Sequence, residues 1–533
     1  MNNAELIVAT LKKTGITHGF GIPSGNVLPI MEAMRTGGIE FVLTAHEGSA
    51  GFAADVMGRL TGIPGLCIAT LGPGATNLAT GVGNAWLDRS PMIAITCNLN
   101  TDQLGRRIQM YIDHHALFAP ITKASMPLRQ GNVAETLAKA IQIATTEPIG
   151  PVHLDLPEDV ALAASFDEVP ALKPPPVQKE APKVAFDGAI AAISKAKRPL
   201  AIIGSNAMRL TENNQIFNFI QKHQIPFATT TMAKGLIDDN HPLAVGCIER
   251  ACRQHQRKFL QTADLIIGLG YDTIEVEFEA WIGSTPLLQI DIEEPDLGEG
   301  VVCKEKVIGN LSKSLATLTA ANVVSNDWTE DELAEHRKTF NQLLRPNVRE
   351  FSAYQAIDAV RDALPPEGIL SFDVGAHTHQ IASQWNSPGA KRFLITNGWS
   401  SMGFGLPSAI AAKLSCPEQP VVCLIGDGCF QMTCGELATA KRLKITLPIV
   451  VLDDRWLGLI RVKQLRRQYG IYGTELQSES YRAPPEHYFG VSAVGVNDPG
   501  SLRLAVENAL KAKGPTVIEA IVNSEHYIET VFD

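Results

Sequence analysis

The run Val421-Val422-Cys423-Leu424-Ile425-Gly426-Asp427-Gly428, answered 27 positions after Asp427 by the end of Leu447-Pro448-Ile449-Val450-Val451-Leu452-Asp453-Asp454, decides how this chain is read. Each apolar, β-branched run ends in a carboxylate, and the stretch between them has a helical pattern. Strand, acid, helix, strand, acid is a crossover unit. Its right-handedness puts Asp427 and Asp454 at the same carboxyl edge of one parallel sheet. Two hard oxygen ligands beside backbone carbonyls suit an octahedral Mg²⁺, which in turn holds a diphosphate. A lone Gly-Asp-Gly is also an ordinary turn; its pairing with Asp454 at this spacing sets it apart.

Outward from that unit, 533 residues exceed what one core accommodates, and about three domains are expected. With 45% hydrophobic and 19% charged residues the composition is that of a globular protein. A net charge of −10 argues against a nucleic-acid or anionic-membrane partner, though not against an anionic substrate held by a local cation. Met1-Asn2-Asn3-Ala4-Glu5-Leu6 reads as an Asn-capped helix start and not as a signal peptide, and no apolar run reaches membrane-span length. The nine cysteines form no CxxC pair and read as reduced core residues, so a soluble cytoplasmic protein is expected.

Two breaks divide the chain. Ala171 to Pro182 is proline-rich, a stiff linker over 171–185, and a polar, acidic stretch opens near Val324 as a second linker over 323–350. They leave domains over 1–170, 186–322 and 351–533. Each alternates short apolar runs with helical patterns. Strands are predicted at Phe41–Thr44, Leu66–Thr70 and Met92–Cys97, at Leu200–Gly204, Leu265–Leu269 and Leu287–Ile292, and at Val421–Ile425, Ile449–Leu452 and Thr516–Ala520. Helices are predicted at Ser49–Leu60, Asn77–Trp86 and Ser408–Leu414. The fold class is α/β: three doubly wound, Rossmann-like domains with mainly parallel sheets.

Further groups fall at predicted strand ends. His46-Glu47-Gly48 follows a strand and precedes a helix, so the Glu47 carboxylate is either a capping acid or a functional one held ionised by the helix dipole. Leu71-Gly72-Pro73-Gly74-Ala75-Thr76-Asn77 is a glycine-rich turn opening a helix, suited to close backbone approach by a ligand. It is not the GxGxxG dinucleotide fingerprint, which disfavours a nicotinamide dehydrogenase. Asp373-Val374-Gly375-Ala376-His377 lies at another strand end, followed by the loop Asn397-Gly398-Trp399-Ser400-Ser401-Met402-Gly403, in which Met402 offers an apolar wedge.

Taken in order, these motifs make the chain resemble, end to end, the thiamine-diphosphate (ThDP) enzymes of the group containing acetolactate synthase, pyruvate oxidase and the 2-oxo-acid decarboxylases. The resemblance implies that Asp427, Asp454 and the carbonyl of Trp456 hold Mg²⁺, with Gly375, His377, Gly428 and Cys429 near the diphosphate and Leu457 and Gly458 among the cofactor-binding residues. The family's motif usually ends in Asn-Asn or Asn-Asp; here Asp453 stands in place of the first Asn. By the same resemblance Glu47 hydrogen-bonds N1′ of the aminopyrimidine, Met402 imposes the bent cofactor conformation, and the Ser400 carbonyl accepts from the 4′-amino group. Gly25, Gly72 and Asn77 are cofactor-binding candidates. In this family Glu47 of one chain faces Asp427 of its partner, which implies a homodimer or homotetramer with active sites at the interface.

The reaction turns on proton supply. Pyruvate-type decarboxylases carry an acid six residues after the second metal ligand; here that position is Ile460, which resembles acetolactate synthases. Pro120-Ile121-Thr122-Lys123 and the region of Gln109 and Asp113 resemble the same enzymes. Gly21-Ile22-Pro23-Ser24-Gly25-Asn26 departs at two positions from their Gly-Tyr-Pro-Gly-Gly. Gly270-Tyr271-Asp272-Thr273-Ile274-Glu275 resembles a run of the FAD-independent synthases, and FAD is not expected. The expected activity is a carboligase: decarboxylation of pyruvate or a related 2-oxo acid, then C–C bond formation with a second carbonyl. Against it, His114-His115 resembles a pair that handles protons in decarboxylases, so a decarboxylase or aldehyde lyase is the alternative, unless the pair merely decorates a surface loop. An inactive, regulatory ThDP-fold subunit is the remote alternative. Glu47, Gln109, His114 and His115 are the catalytic candidates.

Overall fold

The computed structural model describes residues 1–210, 214–276, 281–322, 326–476 and 486–531; Val324, the predicted start of the second linker, lies outside them. Three sheets follow one another along the chain. The first has β1 (His18–Gly21), β2 (Glu40–Leu43), β3 (Gly65–Thr70), β4 (Met92–Asn98), β5 (Ala124–Pro127) and β6 (Pro151–Pro157) in the order β2-β1-β3-β4-β6-β5, all parallel. The second has β7 (Pro199–Ile203), β8 (Phe227–Thr229), β9 (Ala244–Cys247), β10 (Leu265–Leu269), β11 (Leu287–Asp291) and β12 (Cys303–Ile308) in the order β12-β11-β10-β7-β8-β9, again parallel. The third has β13 (Ile369–Phe372), β14 (Phe393–Leu394), β15 (Val421–Gly426), β16 (Leu447–Asp453), β17 (Glu486–His487), β18 (Val491–Val496) and β19 (Pro515–Ile521) in the order β14-β13-β15-β16-β19-β18-β17, with only β17 antiparallel.

The central strands β4, β7, β10, β11, β13, β15 and β16 are fully buried, mainly apolar runs, as parallel sheets covered on both faces require, whereas the outer strands β2, β5, β12, β17 and β18 are partly exposed. In each sheet the chain builds outward on one side and then returns past its starting strand. The order therefore reverses between β1 and β3, between β7 and β10, and between β13 and β15. A crevice opens at the carboxyl ends of such a pair.

Helices begin earlier than the periodicity predicts. The first after β2 is Glu47–Thr61, with His46 as N-cap, so Glu47 is its first residue. The next is Pro73–Leu87, where Pro73 takes the first-turn position that needs no N–H. The third is Gly405–Ser415. The first and last of these pack together in one core that joins the first and third sheets, with Phe52 edge-on to Phe404 at 5.6 Å.

Residues 165–182 carry no helix or strand. The stretch predicted as a second linker is different: the 14-residue helix Glu330–Leu343 occupies it. Its high charge lies on the outer face, while Leu333 joins the central core and Phe340 packs with Ala251 and Cys252. No helix among the described residues is long and apolar enough to cross a membrane.

Candidate active site

The β13/β15 switch point gathers the groups of the third sheet. Asp373, just past β13, is fully buried and accepts from the N–H groups of Val374 (2.7 Å), Gly403 (3.1 Å) and Gly405 (2.8 Å), tying the strand end to the next helix. Burial lifts its carboxyl to about 6. Gly375 and Gly426 leave room for the His377 ring: a Cβ on either would come within 2.6 and 2.8 Å of it. His377 is buried, its Nε2 has no hydrogen-bond partner among the described residues, and burial lowers its pKa to about 4, so the imidazole is neutral. The Cys429 thiol donates to the Val374 carbonyl at 2.9 Å, and burial keeps it protonated.

Asp427 opens the helix Asp427–Thr433 and accepts from Gly428 N and Arg455 N, both at 2.8 Å. Asp454 accepts from Trp456 N at 3.0 Å. Burial first, then repulsion from Asp454 and Asp453, raises Asp427 to about 8, and burial raises Asp454 to about 6. Mutually repelling buried carboxylates are relieved by a divalent cation, and their oxygens fit Mg²⁺. The unpartnered His377 nitrogen, in its Nε2–H tautomer, fits an anionic oxygen on that ion.

These groups line one cavity of about 230 Å³ with Gly375, Ser400, Met402, Gly428, Cys429, Trp456, Leu457, Gly458 and Ile460. A Cβ on Gly428 would stand 2.9 Å from Leu457 and 3.3 Å from Met402, so these three residues wall the cavity together. The Arg461 guanidinium covers the Trp456 ring at 4.4 Å. A larger open groove of about 1010 Å³ along β2, lined by Leu28, Met34 and Leu43 among others, holds none of the candidate groups.

The first-sheet candidates gather at their own switch point, between β1 and β3. Glu47 is 7% exposed and accepts from Asn77 Nδ2 at 3.0 Å. Gly72 adopts φ +59°, and a Cβ there would meet the Met110 carbonyl at 2.5 Å, so the loop carrying Gln109 crosses directly over it. Gln109 itself is exposed. Gly25 opens a short 3₁₀ turn with empty space around its Cα, and Ser24 Oγ donates to Thr70 Oγ1 at 2.6 Å across the crevice. Every residue lining the 230 Å³ cavity is numbered 374 or higher, so within one chain Glu47 does not reach it.

Sequence comparison matches this architecture piece by piece. Residues 1–117 match the thiamine pyrophosphate enzyme N-terminal TPP binding domain, 186–318 the central domain and 373–520 the C-terminal TPP binding domain. The chain belongs to the thiamine pyrophosphate enzyme family. Its relatives include the probable acetolactate synthase large subunit of Methanococcus aeolicus, 29% identical over 100% of this chain and 94% of that one. The acetolactate synthase isozyme 1 large subunit of Escherichia coli K12 is 28% identical (98% and 94% covered), and the acetolactate synthase of Bacillus subtilis 168 is 28% identical (99% and 95%).

In this thiamine pyrophosphate enzyme the histidine pair is not a surface loop. Asp113 caps the helix His114–Phe118, and His114 is 1% exposed. A hydrogen-bonded chain runs from His115 Nδ1 to Ser125 Oγ (2.7 Å) to His153 Nδ1 (2.7 Å). It continues from His153 Nε2 to Thr96 Oγ1 (2.7 Å) and on to His114 Nδ1 (2.9 Å). Asp155 lies 3.5 Å from His114 and 3.6 Å from His115. Burial, then the neighbouring histidines, pushes the His153 pKa well below its usual value. Sequence reading missed Thr96, Ser125, His153 and Asp155; for Thr96, His153 and Asp155 the available signal was polar residues inside the apolar strands β4 and β6, while Ser125 in the partly exposed β5 carried none.

At the central switch point, between β7 and β10, the Glu275 carboxyl group is satisfied from within, while Ser205, Met208 and Arg209 line a cavity of about 530 Å³ shared with Arg59, Asp88 and Lys391. Glu275 accepts from Ser205 N (2.8 Å), Asp272 N (3.1 Å) and Thr230 Oγ1 (2.6 Å), and burial raises its carboxyl to about 8. A Cβ on Gly204 would lie 2.4 Å from the Gly270 carbonyl, so the two turns meet backbone to backbone.

Proposed function

We propose that this chain is a ThDP- and Mg²⁺-dependent carboligase acting on 2-oxo acids, acetolactate synthase-like, and that it works as a homodimer or homotetramer. The observation that carries this reading is the single cavity shared by Asp427, Asp454 and the unpartnered His377, with the apolar Ile460 on its wall. Asp427, Asp454 and the Trp456 carbonyl would hold Mg²⁺; His377 and the backbone of Gly375, Gly428 and Gly458 would receive the diphosphate. ThDP supplies an electron sink that lets a 2-oxo acid lose CO₂ and become a carbon nucleophile. The protein's part would be to exchange a proton with the cofactor at Glu47, to seat the cofactor against Met402, and to keep proton donors away from the nucleophilic carbon. Leu457 and Ile460 do the last.

The proposed assembly is supported by the absence of Glu47 from the lining of the Asp427 cavity, since a partner chain would bring the two face to face. A flavin is not part of this reading, since the central domain carries no flavin-binding glycine fingerprint.

A second reading, a non-oxidative decarboxylase or aldehyde lyase, draws on the relay from half-exposed His115 to buried His114, which could deliver a proton. Incubation with pyruvate, ThDP and Mg²⁺, followed by proton NMR, separates the two. Acetolactate with CO₂ is expected; acetaldehyde would replace the carboligase by the decarboxylase.

A further inference from the structure

The loop that carries Ser400 and Met402 into the cavity is gripped, residue after residue, by helices of the first domain of the same chain. Arg59 Nη1 donates to the Ile395 carbonyl at 2.6 Å. Thr396 Oγ1 donates to Asn84 Oδ1, and Asn84 in turn donates to Asp55 at 2.6 Å. Asp88 receives two successive backbone N–H groups, Asn397 at 3.0 Å and Gly398 at 2.7 Å. The Trp399 ring lies on Gly83, where a Cβ would stand 2.7 Å away, and Gly398 is pressed against Leu87 so closely that its own Cβ would stand 2.7 Å from that side chain. Arg59 completes the unit by pairing with Asp55 and with Asp88, the latter at 2.9 Å. Asp55 and Asp88 are buried and Arg59 nearly so. Immediately beyond the grip, Ser400 sits at φ +52°, a conformation that a serine holds only when its surroundings impose it.

None of Asp55, Arg59, Asn84 and Asp88 lines the 230 Å³ cavity. A buried charged network is costly to assemble unless every partner is satisfied, and here its free acceptors are spent on the backbone of one loop.

We propose that Asp88 and Arg59 are positioning residues for the cofactor's aminopyrimidine, fixing the loop Ile395–Met402 so that the Ser400 carbonyl and the Met402 side chain stand ready before any ligand arrives. This rests on the ThDP reading of Ser400 and Met402. Replacing Asp88 by Asn keeps shape and one acceptor but turns an N–H toward the Asn397 N–H, which loses its partner.

The test has two arms. In cofactor-free protein, amide hydrogen exchange of the peptide spanning 395–402 is followed by mass spectrometry in the wild type and in Asp88→Asn. Exchange about tenfold faster in the variant is expected, matching a lost hydrogen bond to a charged group. Then ThDP and Mg²⁺ are added to both, and the near-ultraviolet circular dichroism band of the bound aminopyrimidine is recorded with the binding isotherm. A band reduced by about half or more, at an affinity within about threefold of wild type, is expected because the diphosphate cavity is untouched.

Unchanged exchange overturns the grip. Faster exchange with a full band shows a brace of no consequence for the cofactor and overturns the positioning role. No band in the wild type sinks the cofactor reading and the positioning role with it, and the exchange arm tells that failure from the others. Should Asp88→Asn not fold, the near-isosteric Thr396→Val, which removes one hydroxyl bond to Asn84, carries the same comparison: its exchange and band matching wild type would equally overturn the proposal.

Discussion

Glu47 accepts its hydrogen bond from Asn77 across the crevice between β1 and β3, from the first residue of one helix to the second turn of the next. The pair places the Glu47 carboxyl group at a helix N-terminus, with one oxygen held by Asn77 and the other facing the Gly74 turn. Glu47→Gln keeps the shape and can still engage Asn77 but cannot exchange a proton with the cofactor ring. Turnover of a 2-oxo acid is expected to fall by roughly 10²–10⁴-fold, with Mg²⁺-ThDP binding retained by calorimetry. Full activity in this variant would remove Glu47 from the chemistry.

Asp427 and Asp454, the pair proposed to hold Mg²⁺, stand at the carboxyl ends of the neighbouring strands β15 and β16. Asp454→Asn removes one charge from the ligand pair while easing their repulsion, so the folded chain should be no less stable in thermal unfolding. Its affinity for ThDP in the presence of Mg²⁺ should fall by more than about 100-fold, beyond what the loss of a mere outer partner costs. Chelation of divalent ions from the wild type should reproduce that loss, and added Mg²⁺ should reverse it. Tight, chelator-resistant ThDP binding by the variant would contradict the assignment.

Ile460 lines the cavity and is 43% exposed, so a carboxylate placed there can stay solvated. Ile460→Glu offers a proton source where the native wall is apolar. The product of pyruvate turnover should shift from acetolactate toward acetaldehyde, by about tenfold in ratio or more for a positioned acid. An unchanged ratio by proton NMR would mean that proton supply is set elsewhere, and attention would pass to His114 and His115.

Much of this was legible in the chain because parallel strands announce themselves. β15, β16 and β19 are apolar runs ended by acids or turns, and the predicted bounds fall within about two residues of the observed ones. The diphosphate cavity was legible for the same reason: Asp373 to His377, Asp427 to Cys429 and Asp454 to Gly458 each follow a strand, and strand ends share an edge. Networks assembled from distant residues left no such trace. Thr96, Ser125, His153 and Asp155 meet the histidine pair only through the pairing of β4, β5 and β6, and Asp88 reaches Gly398 across 310 positions. Charge misled once: Glu330–Leu343 reads as linker because its acidic face is written in the sequence and its contacts with the central core are not.

Gly51 and Gly81 touch backbone to backbone where the helices Glu47–Thr61 and Pro73–Leu87 cross; a Cβ on Gly51 would lie 2.7 Å from Gly81 Cα. Gly51→Ala must push apart the two helices that carry Glu47 and Asn77. A loss of about 1–3 kcal/mol is expected, read as a lower thermal midpoint together with weaker cofactor-dependent activity. Gly470→Ala, with nothing within 4 Å of its Cβ position, serves as the neutral comparison. Equal midpoints for the two variants would show that the crossing can relax.

Glu275 gives the chain a pH dependence of definite sign. Three hydrogen bonds favour its ionised form, yet burial outweighs them and holds the folded carboxyl near 8, against 4.5 in the unfolded chain. Between those values the folded state keeps a proton that the unfolded state has released. Stability from this group is therefore greatest below the lower value, declines as pH rises through the window, and levels off above about 8. Glu275→Gln stays neutral throughout, accepts from Ser205 N and can still pair with Thr230 Oγ1. Neighbouring Asp291, raised by burial to about 7, contributes a slope of the same sign in both proteins, so the difference between them isolates Glu275. Thermal midpoints should agree near pH 4.5 and separate in favour of the glutamine variant as pH approaches about 8, by roughly 2–4 °C for each kcal/mol removed. A difference that stays constant with pH, or one that favours the wild type at high pH, would mean that Glu275 is ionised in the folded protein.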